Sequence, residues 1–267
     1  MCPLRDDRPI LIGMVHVRAL PGTPRNRSTL EEIVATAVDE ARMLREGGFD
    51  ALLVENMHDL PYLKRAVGPE VTSAMTAVTR EVVKAVDCPV GVQVLAGANR
   101  EALAVALAGG AAFIRAEGLI FAHVADEGIM EADAGELLRF RRNVGAEGIK
   151  IFADIKKKHS SHAITADIDL AQTAHAAEFF GLDGLVVTGT ATGEPTRLRD
   201  LEDAGRGTTL PVLVGSGTTP ETLAECWRAT DGFIVGSWIK EDGLWDHPLS
   251  LPRIRELMAA AGRMGKT

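Results

Sequence analysis

Short apolar runs recur along the chain, each closed by a polar or glycine-containing tip and followed by a stretch with helical spacing. The runs are Ile10–His16, Asp50–Met57, Pro89–Leu95, Ala111–Ala116, Gly148–Ile155, Asp183–Thr188, Pro211–Val214 and Gly232–Val235. Most lack strict alternation, which marks strands covered on both faces. The last two are joined by one short helical pattern, Glu221–Arg228, and each runs directly into a Gly-Ser pair. Alternating strand and helix predicts a parallel sheet, and eight repeats predict closure into a (β/α)8 TIM barrel. An open doubly wound sheet competes, but Gly215-Ser216-Gly217 meets Pro220 where the third glycine of a dinucleotide fingerprint should stand. The reading is therefore α/β, one barrel domain over 1–267 with its core at about 9–262.

Helix signals lie between the runs. Ser28 reads as an N-cap with Glu31 completing a capping box, and that helix extends to Glu46. Further helices are read at Glu70–Val86, from a capping Asn99 through Leu107, at Ile168–Phe180, at Thr196–Asp203 and at Leu249–Ala261. The segment Gly118–Ala132, carrying His123, Asp126 and Glu127, reads as a long loop serving as a lid or binding segment.

Composition narrows the function. A length of 267 residues suits one barrel, and 46% hydrophobic with 25% charged residues is ordinary for a soluble globular chain. A net charge of −8 argues against nucleic acid as a partner while leaving small phosphorylated ligands open. Three cysteines without a CxxC fit a reducing compartment. No apolar signal-peptide core stands at the N-terminus, and the longest apolar run, Ala102–Ile114, is too short to span a bilayer. The expectation is a cytoplasmic protein with no integral membrane segment. Helix faces around barrels often pair, so a homo-oligomer is expected.

Active sites of such barrels lie at the C-terminal strand ends. The polar residues there include His16, Glu55, Asn56, Gln93, Arg115, Glu117, Asp154, Thr188, Ser216, Ser237 and Lys240, with Lys156, Lys158 and His159 just beyond the fifth strand. Glu55 and Asp154 end apolar strands and need partners if buried; Arg115 could be such a partner or a substrate clamp. Three consecutive lysines cannot all point inward, so 156–158 reads chiefly as a solvated run, with Lys158 and His159 retained as candidates. His58, His123, His162 and His175 read as loop or helix-surface residues. Gly215-Ser216-Gly217 and Gly236-Ser237, at the seventh and eighth strands, could cradle a phosphate on backbone N–H groups. No HxH, HExxH or cysteine cluster marks a metal or nucleotide cofactor, although His16, Glu55 and Asp154 could surround one ion.

Several stretches together resemble the BtpA/SgcQ family: GMVHVRALPGTP (Gly13–Pro24), VENMHDLPY (Val54–Tyr62), VGPEVTSAMT (Val67–Thr76), ADIKKKHSSH (Ala153–His162), VTGTATG (Val187–Gly193) and VGSGTTPETL (Val214–Leu223). The resemblance spans about residues 9–260. It implies a TIM barrel of the ribulose-phosphate-binding type, a family label of photosystem I biogenesis, and relatives in sugar-utilisation operons that suggest phosphosugar metabolism. It brings no settled reaction. Its motif positions map to His16, Glu55, Asn56, Arg115, Asp154, Lys158, His159, Thr188, Gly189, Gly193, Gly215, Ser216, Gly217, Gly236 and Lys240. Many bacterial members read roughly NVLRND after the third strand, where this chain has Gln93–Asn99, QVLAGAN, without the Arg and the acidic residue.

The expected function is enzymatic: acid–base chemistry of isomerase, epimerase or aldolase type on a small phosphorylated sugar or related metabolite. Glu55 and Asp154 are expected as the acid–base pair, assisted by His16, Lys158 or His159. Asn56, Arg115, Thr188, Gly189, Gly193 and Lys240 are expected to bind substrate. Gly215, Ser216, Gly217, Gly236 and Ser237 are expected to hold the phosphate. A non-catalytic assembly factor and a metal-assisted hydrolase are the alternatives.

Overall fold

The computed structural model describes residues 8–189 and 194–264. Eight parallel strands close into a barrel: β1 (Ile10–His16), β2 (Ala51–Glu55), β3 (Val90–Gln93), β4 (Phe113–Ala116), β5 (Lys150–Ile155), β6 (Gly184–Val187), β7 (Val212–Val214) and β8 (Gly232–Val235). Each hydrogen-bonds to its sequence neighbours, and β1 pairs with β8 to complete the ring. The fold is thus the predicted TIM barrel. Helices α1 (Leu30–Glu46), α2 (Pro69–Ala85), α3 (Asn99–Gly109), α4 (Ala134–Asn143), α5 (Leu170–Phe179), α6 (Leu198–Arg206), α7 (Pro220–Cys226) and α8 (Leu251–Met264) surround it. None of the described helices is long and apolar enough to cross a membrane.

Helix starts differ from the expected ones for local reasons. The α1 N-cap is Thr29, one residue later than Ser28. Its hydroxyl accepts from the Glu32 N–H at 3.3 Å, and the Glu32 carboxylate accepts from the Thr29 N–H at 2.8 Å. Asp169 and Gln172 make the same reciprocal cap on α5. Asn99 does not cap α3: its side chain accepts from the Glu117 N–H at 3.0 Å and donates to the Glu117 carbonyl at 2.9 Å, tying α3 to the tip of β4.

Two apolar layers result from strand parity. Leu11, Val15, Leu52, Val54, Val92 and Ile114 face the helices, whereas Ile10, Ile12, Met14, Leu53, Phe113, Phe152, Val186, Leu213 and Ile234 fill the barrel. Phe113 and Phe152 meet edge to face at 5.7 Å. Gly91 on β3 makes room for the first ring, since a Cβ there would stand 2.2 Å from Phe113 Cε2. Gly91→Ala should therefore cost about 1–3 kcal/mol by overpacking. Thermal melting would check it, and an unchanged midpoint would show that the Phe113 ring is free to move.

The segment expected to be an irregular loop is structured. His123–Ala125 and Gly128–Met130 form a hairpin, which Ser160–Ser161 joins as a third antiparallel strand. Its turn, Asp126-Glu127, hangs over the mouth of the barrel.

Candidate functional site

Parity along the strands decides which side chains reach the mouth. Ile10, Ile12 and Met14 point inward, so His16 does too; by the same rule Leu53 carries Glu55, Phe113 carries Arg115 and Phe152 carries Asp154. Pairing register sets His16, Glu55 and Gln93 side by side across β1, β2 and β3. Above them lies a cavity of about 260 Å³. Among the predicted residues, His16, Glu55, Arg115, Lys158, His159, Gly215, Ser216, Gly217, Gly236 and Ser237 line it. Gly193 lies outside the described residues.

His16 and Glu55 form the titratable centre. The His16 Nδ1–H donates to the Trp245 carbonyl at 3.1 Å, which leaves Nε2 as an acceptor, 3.7 Å from Glu55 Oε2. Burial, aided by the nearby Lys240 charge, pushes the His16 pKa down to about 3, so the imidazole is neutral. Burial also pushes Glu55 up to about 7, against the opposing pull of Arg115 and Lys158. A carboxyl that gains and loses its proton near neutrality therefore faces an imidazole lone pair. That arrangement suits a general acid–base group.

Asp154 stands apart from this centre. It does not line the cavity: both its oxygens accept from Arg115 Nε at 3.2 Å, and Oδ1 also accepts from Nη2 at 3.0 Å. Burial raises the Asp154 pKa and the guanidinium draws it back; Arg115 in turn is raised, because Asp154 and Glu55 outweigh the cost of its own burial. The two form a buried ion pair in which the Asp154 oxygens are occupied. Asp154, expected to pair with Glu55 as acid and base, is held by Arg115 and does not line the cavity. Among the described residues, no group of three or more His, Cys, Asp or Glu side chains is gathered as a metal site.

Lysines 156–158 are not a solvated run. Left-handed backbone at Lys156 (φ 48°) and His159 (φ 54°) turns the chain so that successive side chains enter different places. Lys156 Nζ donates to the Thr165 and Ile168 carbonyls. Lys157 is buried with Nζ 3.3 Å from Glu117 Oε2, and Lys158 lines the cavity. Burial, together with the like charge of Arg115, lowers the Lys158 pKa.

At the tips of β7 and β8, the backbone N–H groups of Gly217, Gly236 and Ser237 have no hydrogen-bond acceptor among the described residues. Gly217 (φ 67°) passes so close to the next loop that a Cβ would lie 2.1 Å from the Glu194 carbonyl oxygen. The Ser216 hydroxyl is engaged, accepting from the Gly189 N–H at 3.1 Å and donating to the Glu194 carbonyl at 3.3 Å.

The remaining candidates support the mouth from behind. Asn56 accepts from the Leu95 N–H at 2.7 Å and donates to Asp59 at 2.9 Å, while Asp59 accepts from the Leu20 N–H at 2.7 Å. The loops after β1, β2 and β3 are tied together by that network, which occupies both ends of the Asn56 amide. Thr188 accepts from the Lys158 N–H at 2.9 Å, and Lys240, fully buried, places Nζ 3.3 Å from Glu40 Oε1 in a neighbouring cavity. Asn56, Thr188, Gly189 and Lys240, expected to bind substrate, do not line the main cavity. Other residues do line it: Gln93 and Glu117 from strand ends, Asp126 and Glu127 from the hairpin turn, and Tyr62, Lys157 and Trp245. Trp245 follows β8 in a stretch with no periodic signal, so only the closed barrel reveals it. His123, expected at the surface, is buried within the first strand of the hairpin.

A sequence model of the BtpA family matches residues 7–263. An uncharacterised protein of Caenorhabditis elegans, described as mitochondrial, is 44% identical over 260 residues, covering 96% of this chain and 94% of its own. The photosystem I biogenesis protein BtpA of Synechocystis sp. is 38% identical over 236 residues, 87% of this chain and 81% of its own. N-(5′-phosphoribosyl)anthranilate isomerase from Pyrococcus furiosus superposes with a TM-score of 0.58 at 14% identity, over 96% of this chain and 99% of that one. A native KDPGal structure gives 0.55 at 18% identity, over 96% and 95%. At such identities these structures establish the shared fold alone.

Proposed function

As the chain belongs to the BtpA family, we propose that it is an enzyme moving a proton next to a carbonyl in a small phosphorylated sugar or related metabolite. One observation carries the reading: Glu55, with a pKa near 7, shares a cavity with three backbone N–H groups on the tips of β7 and β8 that have no acceptor among the described residues. The N–H groups of Gly217, Gly236 and Ser237 take the phosphate. Fixed there, the substrate presents the carbon beside its carbonyl to Glu55. The Glu55 carboxylate removes a proton from that carbon and delivers it to the former carbonyl carbon while the hydroxyl proton of the enediolate passes to the former carbonyl oxygen, with His16 Nε2 accepting from the protonated carboxyl between the two transfers. Arg115 keeps its tie to Asp154 and supplies positive charge beneath the developing enolate. The phosphoribosyl compound in the name of the Pyrococcus isomerase is of the same chemical kind.

Thermal melting against sugar phosphates and their unphosphorylated counterparts tests the reading. A ligand at about 100 times its dissociation constant adds roughly 2.7 kcal/mol, a shift of several degrees at this size. The shift should appear only with phosphorylated compounds and vanish in Ser237→Asp, which sets a carboxylate among the N–H groups. A folded protein unmoved by the whole panel would defeat the proposal. It would favour instead a non-catalytic assembly role, of the kind named for the Synechocystis relative.

A further inference from the structure

Four lysines stand at or beside the mouth, and three are committed. Lys156 is bonded to two carbonyls, Lys157 is paired with Glu117, and Lys240 is paired with Glu40. Lys158 differs. It is half-buried, its N–H is anchored on Thr188, and its Nζ has neither a hydrogen bond nor an ion-pair partner among the described residues. The ammonium form is disfavoured there by burial and by the Arg115 charge, so the amine retains more of its neutral, nucleophilic form than a surface lysine does. A second group in the same cavity is also unmatched: Gln93 Oε1 is buried without a hydrogen-bond donor. Such an acceptor costs stability unless something fills it, and a substrate hydroxyl would. Glu55, on the strand beside Gln93, can deliver or take a proton.

We propose that Lys158 is the nucleophile that forms an imine with the substrate, which makes the substrate class an open-chain phosphorylated ketone or aldehyde. The inference rests on the reading of the mouth as a site of proton transfer on a phosphorylated molecule. The Lys158 Nζ lone pair bonds to the carbonyl carbon as the C=O π pair moves to oxygen. One amine proton passes to that oxygen, giving a neutral carbinolamine. Glu55, in its protonated form, donates to the hydroxyl, which leaves as water while the nitrogen lone pair forms the C=N bond. The product is an iminium cation opposite the Glu55 carboxylate. The iminium then draws electrons from the adjacent carbon, so the same carboxylate removes a proton there more readily than from the free carbonyl compound. Addition of water reverses the steps and frees the amine.

The test is reductive trapping. Protein is incubated with glyceraldehyde 3-phosphate or dihydroxyacetone phosphate and sodium cyanoborohydride, whose hydride reduces the iminium carbon, and adducts are located by peptide mapping. Lys158 should be labelled faster than exposed Lys64, because burial leaves more of its amine neutral. Saturating inorganic phosphate should suppress the Lys158 adduct and leave Lys64 unaffected, and Lys158→Met should lose the site adduct. Labelling of Lys158 no faster than Lys64 in the native protein, which depends on no variant folding, overturns the proposal. If Lys158 stays unlabelled while Ser237→Asp still abolishes a phosphate-dependent thermal shift, the imine fails and the proton-transfer reading stands. If neither effect appears, both fail.

Discussion

Replacing Glu55 by Gln should make the folded protein more stable above pH 7 while removing its proton-transfer group. The sign follows from the raised pKa. Below about pH 4.5 the carboxyl is protonated both folded and unfolded, so it contributes no pH dependence. Between about 4.5 and 7 the unfolded chain ionises Glu55 and the folded chain does not, so the native protein loses stability as pH rises through that window. Above 7 both forms are ionised and the loss is complete. A shift from 4.5 to about 7 amounts to about 3 kcal/mol at ~1.4 kcal/mol per unit. Urea unfolding of native protein and variant at pH 5 and pH 8 reads this directly, because the fixed cost of burying an amide cancels between the two pH values. A stability gap equal at both would mean that Glu55 titrates normally. The expected gap marks Glu55 as a residue that costs stability where it stands, a common feature of groups retained for chemistry.

Arg115→Met should produce the opposite and larger effect, a loss of about 3–5 kcal/mol, because it strands the Asp154 carboxylate in the barrel without its counter-charge. Both side chains are almost wholly buried, at 6% and 1% exposure. The double substitution Arg115→Met, Asp154→Asn should recover most of that loss, since neither charge then remains; denaturant midpoints of the two single variants and the double give the coupling. A single-variant cost below ~1 kcal/mol would show that water reaches the pair. The substitution also removes the largest opposing pull on the Glu55 pKa, so the Glu55 window should extend to higher pH in Arg115→Met.

Much of the mouth was legible because it follows from parity. An apolar run ending in a polar residue, with alternate positions buried in the barrel, necessarily presents that residue at the strand tip; hence His16, Glu55 and Arg115 are identifiable from the sequence alone. The two glycine-serine tips were legible for a similar reason, since they close the seventh and eighth strands. Roles were harder to read than positions. Asn56 and Lys240 sit where a ligand-binding residue could, yet Asn56 spends its amide on Leu95 and Asp59, and Lys240 meets a carboxylate 200 residues earlier in the chain. The lysine run was misread because a strand or helix period does not apply across left-handed residues such as Lys156 and His159.

By itself, then, the sequence determined the barrel, the order of its strands and the polar residues that end them, because these depend on periodicity and on neighbours close along the chain. Only the tertiary structure decided which of those residues are at liberty to act. Arg115 finds Asp154 39 residues away, and His16 finds the Trp245 carbonyl 229 residues away, across the closure of β1 on β8. Those long-range contacts occupy Asp154 and set the His16 tautomer, and burial within the closed barrel brings Glu55 to its pKa. Hydrogen bonding and desolvation depend on what surrounds an atom in space, and no local spacing encodes that.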